Sequence, residues 1–184
     1  YAQTTLSSLS DYAPDLKKAL VLVPRLLGVG VTEKRYMIIM QNNAEMRPTG
    51  GFWTNYSTFK IKNALLNSDF SSKDMYSIDY TLDIADPYTD FSVGLPAPLR
   101  KYLLVERWFA RDANFSPDFP TSIANFMKSY NLAMRLNPLE IKPVDGIFAM
   151  DTQVVSELLD VTGPATINGV TYNNYNGVFS NRCI

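Results

Sequence analysis

Hydrophobic positions along this chain fall into blocks of two periods, and those blocks predict its elements. After Ser10 and Asp11, which are good caps, Leu16, Leu20, Val23 and Leu27 recur on one helical face until Gly28 stops the pattern, with Pro24 expected to kink it. Arg35 to Gln41 is a nearly unbroken apolar run of strand length, the pattern of a central strand covered on both faces. Phe52 to Lys62 is rich in aromatic and β-branched residues and predicts a second strand; Met75 to Leu82 predicts another. Pro87, Gly94, Pro96 and Pro98 make Asp83 to Pro98 a long connection, and a helix is expected over Leu99 to Ala110. Thr121 to Leu136 predicts an amphipathic helix with Ile123, Phe126, Met127 and Tyr130 on one face, and Asp118 is placed to cap it near Pro120. Val144 to Met150 reads as a short buried strand, and Asp151 or Thr152 caps a helix carrying Val155, Leu158 and Leu159 that Gly163-Pro164 ends. Asn168-Gly169 is the type I′ signal of a hairpin over Thr166 to Thr171.

Strands alternating with helices place the chain in the α/β class, or α+β, with a mixed central sheet and helices packed on it. Its 184 residues make a single domain, 1–184, in which a helical segment over 1–30 leads into the sheet and 173–184 forms a C-terminal tail. Composition then works by exclusion. With 17 Lys+Arg against 18 Asp+Glu, the net charge of −1 leaves no basic excess for duplex nucleic acid or an anionic membrane. The absence of His removes the usual proton shuttle, the Ser-His and Cys-His nucleophile pairs and the commonest zinc ligand. Cys183, the single cysteine, cannot close an internal disulfide; it is an incidental thiol or, in an oxidising compartment, an intermolecular link. Ala19 to Val31 is too short to span a bilayer and contains Pro24 and Arg25, so a membrane is expected only through a segment not present in this chain. A first residue of Tyr1 suggests a processed or excised piece. Asn55-Tyr56-Ser57 and Asn114-Phe115-Ser116 fit the N-glycosylation pattern.

Candidate chemistry gathers in two loops. Gln41 to Phe52 leaves the end of an apolar strand, where open α/β sheets place ligands. There Gly50 and Gly51 beside Thr49 let backbone N–H groups approach a phosphate or carboxylate, and Arg47 offers a bidentate fork to the same anion. The structural alternative is a glycine turn with Arg47 paired to Glu45. Arg100, Arg107 and Arg111, spaced by seven and four, would share a face of the expected helix and guide an extended anion, or else simply form a solvated face. Asp112, Asn114 and Asp118 could hold the second loop, or present oxygens to a hard cation. Phe52, Trp53, Tyr56, Trp108, Phe109 and Phe115 are either a stacking surface for sugar or lipid, or core. Tyr172-Asn173-Asn174-Tyr175-Asn176 is either a partner contact or a plain loop.

The segments Asn42 to Phe52 and Arg111 to Ser122 resemble the two signatures of domain of unknown function 4012, and Val144 to Asp151, Leu158-Leu159 and Thr162-Gly163-Pro164 resemble its third block. That resemblance covers roughly Leu20 to Tyr172 and implies a bacterial cell-envelope protein, extracellular or at the cell surface. The third block is also distantly similar to the LytR-CpsA-Psr family, which transfers a glycan phosphate from a polyprenyl-pyrophosphate carrier to the cell wall with arginines and an aspartate-bound magnesium ion. By that similarity Arg47 and Arg111 would be the catalytic arginines, and Asn42, Thr49, Gly50, Gly51, Asp112, Asn114 and Asp118 the ligand-binding residues. Where those enzymes have Arg-Ser-Asp, this chain has Arg47-Pro48-Thr49, so the acid beside the arginine is missing. No metal ligand and no cofactor is assigned, and the missing acid speaks against a magnesium-dependent reaction. The expected role is binding of an anionic wall glycan or lipid-linked glycan, with glycan phosphotransfer if there is catalysis. The alternative is a non-catalytic structural or adhesive component of the cell surface or an appendage, joining a second copy or another chain through its C-terminal tail.

Overall fold

The computed structural model describes residues 17–30, 33–67, 69–85, 94–175 and 178–180. Helix α1 covers 17–26. Strands β1 (Lys34–Asn42), β2 (Phe52–Lys62), β3 (Leu65–Leu66) and β4 (Ser71–Asp74) precede helices α2 (Tyr76–Ala85) and α3 (Ala97–Tyr102). A 3₁₀ turn at Ala110–Asp112 is followed by α4 (Phe119–Leu136), β5 (Gly146–Asp151), α5 (Thr152–Thr162), β6 (Ala165–Ile167), β7 (Val170–Tyr175) and β8 (Val178–Ser180). The five-stranded sheet has the order β3-β2-β1-β5, with β4 also on β2, and β6-β7-β8 form a second sheet. This is an α/β fold with a mixed sheet, since β1 pairs antiparallel with β2 and parallel with β5.

The apolar run becomes the central strand because both of its edges are taken. Met37 and Ile39 point into the main core with Trp53 and Tyr56 of β2, Met75, Ile78 and Leu82 of α2, and Phe126 and Tyr130 of α4. Trp53 meets Phe126 edge-on with ring centroids 5.6 Å apart, and Tyr130 donates from its hydroxyl to the Lys142 carbonyl at 2.7 Å. These aromatic residues fill the core rather than a stacking surface. On the opposite face of the sheet, Tyr36 packs against Phe59 and Phe148 and donates to the Leu26 carbonyl of α1 at 2.7 Å. The parallel β1–β5 pair requires a long crossover, and α4 lies in it. Asp118 caps α4 by accepting from Thr121 N–H at 2.9 Å, with Pro120 in the first turn, as the spacing predicts. Asp151 caps α5 through Gln153 and Val154, and Asn168 and Gly169, both at positive φ, make the predicted hairpin turn.

Several expectations are corrected. Met75 to Leu82 is helix, not strand: Met75, Ile78, Asp79 and Leu82 are buried at helical spacing, and Asp74 starts the helix by accepting from Tyr76 N–H at 2.8 Å. The helix expected over Leu99 to Ala110 ends at Tyr102, and Leu104 sits at φ 54°. Arg100, Arg107 and Arg111 therefore share no helical face; Arg107 pairs with Asp83 instead. The helix expected before Gly28 is present as α1, though its apolar face is only partly covered, with Leu20 68% and Val23 46% exposed. The strand expected over Val144 to Met150 begins at Gly146 and is only half-buried, with Phe148 49% exposed. Tyr172 to Tyr175 belongs to strand β7 rather than to a loop. Ser10, Asp11, Leu16, Pro87 and Cys183 lie outside the described residues. Asn114 is fully buried, so its glycosylation pattern is inaccessible in the folded chain, whereas Asn55 is exposed.

A Cβ on Gly146 would come within 2.8 Å of the Tyr36 ring, which its hydrogen bond to Leu26 and its burial hold in place. Gly146→Ala is expected to cost about 1–3 kcal/mol, as overpacking does. Urea unfolding would register it, and an unchanged midpoint would show that Tyr36 moves aside freely.

Candidate functional site

Strand β1 ends at Asn42, and the loop that follows is bent back by its own polar groups. Asn42 accepts from Ala44 N–H on its side chain and from Glu45 N–H on its carbonyl, both at 3.1 Å, and Phe52 N–H returns to the Glu45 carbonyl at 2.9 Å. Gly50 lies at φ 116°, and a Cβ on Gly51 would sit 2.5 Å from the Asn42 carbonyl oxygen. The two glycines thus permit a tight return of the chain on itself. The Thr49 hydroxyl donates to Gln41 Oε1 at 2.9 Å, and Trp53 Nε1 donates to the same oxygen at 2.9 Å.

The second signature loop docks on the first. Asn114 donates from Nδ2 to the Thr49 hydroxyl at 3.0 Å and to the Gly51 carbonyl at 2.8 Å. Its Oδ1 is buried without a hydrogen-bond partner. Arg47 lies over the Phe52 ring at 5.0 Å, pairs with Glu45 at 2.9 Å, and brings Nη2 to 3.7 Å from Asp112 Oδ1. Its Nε is buried without a partner. Arg111 approaches the other oxygen of Asp112 at 3.9 Å, pairs with Asp79 at 2.8 Å, and lies over Phe109 at 3.8 Å and Tyr76 at 4.5 Å. The two arginines, far apart in sequence, therefore meet on one buried carboxylate beyond the end of β1.

Of the residues marked in the sequence, Arg47, Thr49, Gly51, Arg111, Asp112 and Asn114 are joined by these contacts. Asn42 and Gly50 shape the first loop. Asp118 is exposed and spent on capping α4, where the hydroxyl and then the N–H of Thr121 lower its pKa. Two residues of the cluster went unmarked. Gln41 stands at the end of the apolar run. Asp79 could have been found as the one acid in the Met75, Ile78, Leu82 helical pattern, a position that demands a partner.

Burial dominates the electrostatics. It pushes the Asp79 carboxyl up to about 6, against the opposing pull of the Ala110 N–H and of Arg111. Burial also raises Asp112, against Arg111 and Arg47. Asp79 and Asp112 each face a guanidinium, and among the described residues there is no group of three or more His, Cys, Asp or Glu that could hold a metal ion.

A family model described as a protein of unknown function (DUF4012) matches residues 32–180. The chain belongs to that family. The DUF4012 match contains both loops and the β5–α5 block, so every residue of the cluster lies inside it. No curated protein and no solved structure matches the chain significantly.

An acid whose pKa is higher in the folded than in the unfolded chain keeps its proton longer when folded, so folding stability falls as pH rises between the two values. For Asp79 the window runs from about 4 to about 6, and the loss across it is about 3 kcal/mol. Urea unfolding from pH 3.5 to 7.5 should therefore show wild type losing stability relative to Asp79→Asn through that window. Parallel profiles for the two proteins would mean that Asp79 is not desolvated.

Proposed function

We propose that this DUF4012 chain is a bacterial cell-envelope domain that binds the phosphate-bearing part of a wall glycan or polyprenyl-linked glycan at the Arg47 loop. The meeting of Arg47 and Arg111 on Asp112 carries this reading, because it sets two guanidiniums beyond the carboxyl ends of the parallel strands β1 and β5. Glu45 is half-exposed, so phosphate oxygens can take its place on Arg47 Nη2, leaving Arg111 to hold the loop beneath. The envelope setting, and the comparison with LytR-CpsA-Psr phosphotransferases, rest on the motif resemblance. Binding is proposed without a transfer step, since the acid beside the arginine in those enzymes is replaced here by Pro48-Thr49.

One observation favours a second reading, a non-catalytic structural component of the cell surface. Glu45, Asp112 and Asp79 already compensate both arginines, and Arg111 lies over two rings, as a structural clamp would.

Calorimetric titration of farnesyl pyrophosphate and of inorganic pyrophosphate into wild type and Arg47→Ala separates the two readings. The anion reading expects binding to wild type and at least 10-fold weaker binding to the variant, the size of a lost charge-assisted hydrogen bond. Absent or equal binding in both would leave the structural reading.

A further inference from the structure

We infer that α1 and the turn beside it form a docking surface for an anionic lipid bilayer, independent of the Arg47 cluster. The chain as a whole is near neutral, yet residues 17–30 contain Lys17, Lys18 and Arg25 and no acid. Lys17, Val21 and Arg25 recur every four residues and so share one face of α1, opposite the Val23 and Leu27 side that lines an apolar cavity of about 220 Å³ against Tyr36, Phe59 and Phe148. Lys17, Lys18 and Arg25 are exposed. Val21, between Lys17 and Arg25, is 59% exposed, and the flanking Leu20 and Leu22 are 68% and 52% exposed.

The same surface continues past the helix. The Leu27 and Gly28 carbonyls accept from Ala64 and Asn63 N–H at 2.9 and 3.2 Å, which fixes the β2–β3 turn against the end of α1. Beside that turn Leu66, paired with Ile61 and so on the α1 face of the sheet, stands 72% exposed. Exposed aliphatic side chains interleaved with cations suit an interface in which phosphate headgroups meet ammonium and guanidinium groups while leucines enter the acyl boundary. A protein groove would have to place acidic residues at the positions of Lys17 and Arg25, whereas an anionic bilayer supplies phosphates at any register. No described helix is long and apolar enough to cross a membrane, so the contact lies in the plane of the surface.

The test is sedimentation of the chain with large vesicles of phosphatidylcholine alone, or of phosphatidylcholine with one-third phosphatidylglycerol. Binding is expected with the anionic vesicles only, and it should weaken as salt is raised. In Lys17→Gln/Arg25→Gln the partition coefficient should fall roughly 30-fold, as two membrane-proximal cations are lost. Leu66→Ser should also weaken it, with the thermal midpoint retained because this leucine is exposed. No binding to either vesicle, or equal binding to neutral vesicles, would overturn the inference. So would a concentration-dependent dimer in light scattering that the leucine variant abolishes while vesicle binding is absent, since that result makes a second copy the occupant.

Discussion

A strand hydrogen-bonded along both edges has no side open to water, and β1 is such a strand over most of its length. Its backbone groups are satisfied by β2 and β5, and its side chains must then be covered above and below the sheet. That requirement selects the apolar run, draws α2 and α4 onto one face through Met37 and Ile39, and draws α1 onto the other through Tyr36. It also decides where polar chemistry can begin. Gln41 is the first residue along the run with a side-chain amide, and its Oε1 immediately takes two donors. The loops of both signatures are assembled from that point outward.

The register of β1 on β2 is broken once, between Met40 and Gln41, where Thr54 is the extra residue on β2. On its other edge, one step beyond the Asn55–Asp74 pair of the β2–β4 ladder, the Thr54 carbonyl accepts from Met75 N–H at 2.9 Å, at the start of α2. Helix α2 in turn presents Asp79 to the Ala110 N–H and to Arg111. The pairing of β2 with β4 is therefore linked, through α2, to the position of the second arginine. Both loops are held by bonds that converge from separate elements, and neither loop owes its shape to its local sequence alone.

What was legible in the sequence is what local periodicity and capping decide. The run in β1, the aromatic pattern of β2, the amphipathic face of α4, the caps Asp118 and Asp151 and the Asn168-Gly169 turn all act within a few residues. Met75 to Leu82 misled because its tyrosines and isoleucine favour strands, while the deciding signals, Asp74 as cap and helical spacing of the buried residues, are weaker in composition. The helix expected after Leu99 stops early, and Arg107 pairs with Asp83 on a different element, which no spacing rule reveals. Within the cluster, Arg47, Thr49, Arg111, Asp112 and Asn114 stood out as polar residues in glycine- and proline-marked loops. Asp79 did not, because its importance comes from being folded against a loop far along the chain.

Asn114 carries one more consequence. Its amide nitrogen makes both bonds that join the two loops, and it is the atom to which an oligosaccharyltransferase would attach a sugar, since Ser116 completes the acceptor pattern. A sugar added there before folding would occupy a nitrogen that must reach Thr49 and Gly51 in a fully enclosed site. A sugar on Asn114 and the docking of the second loop on the first are thus mutually exclusive.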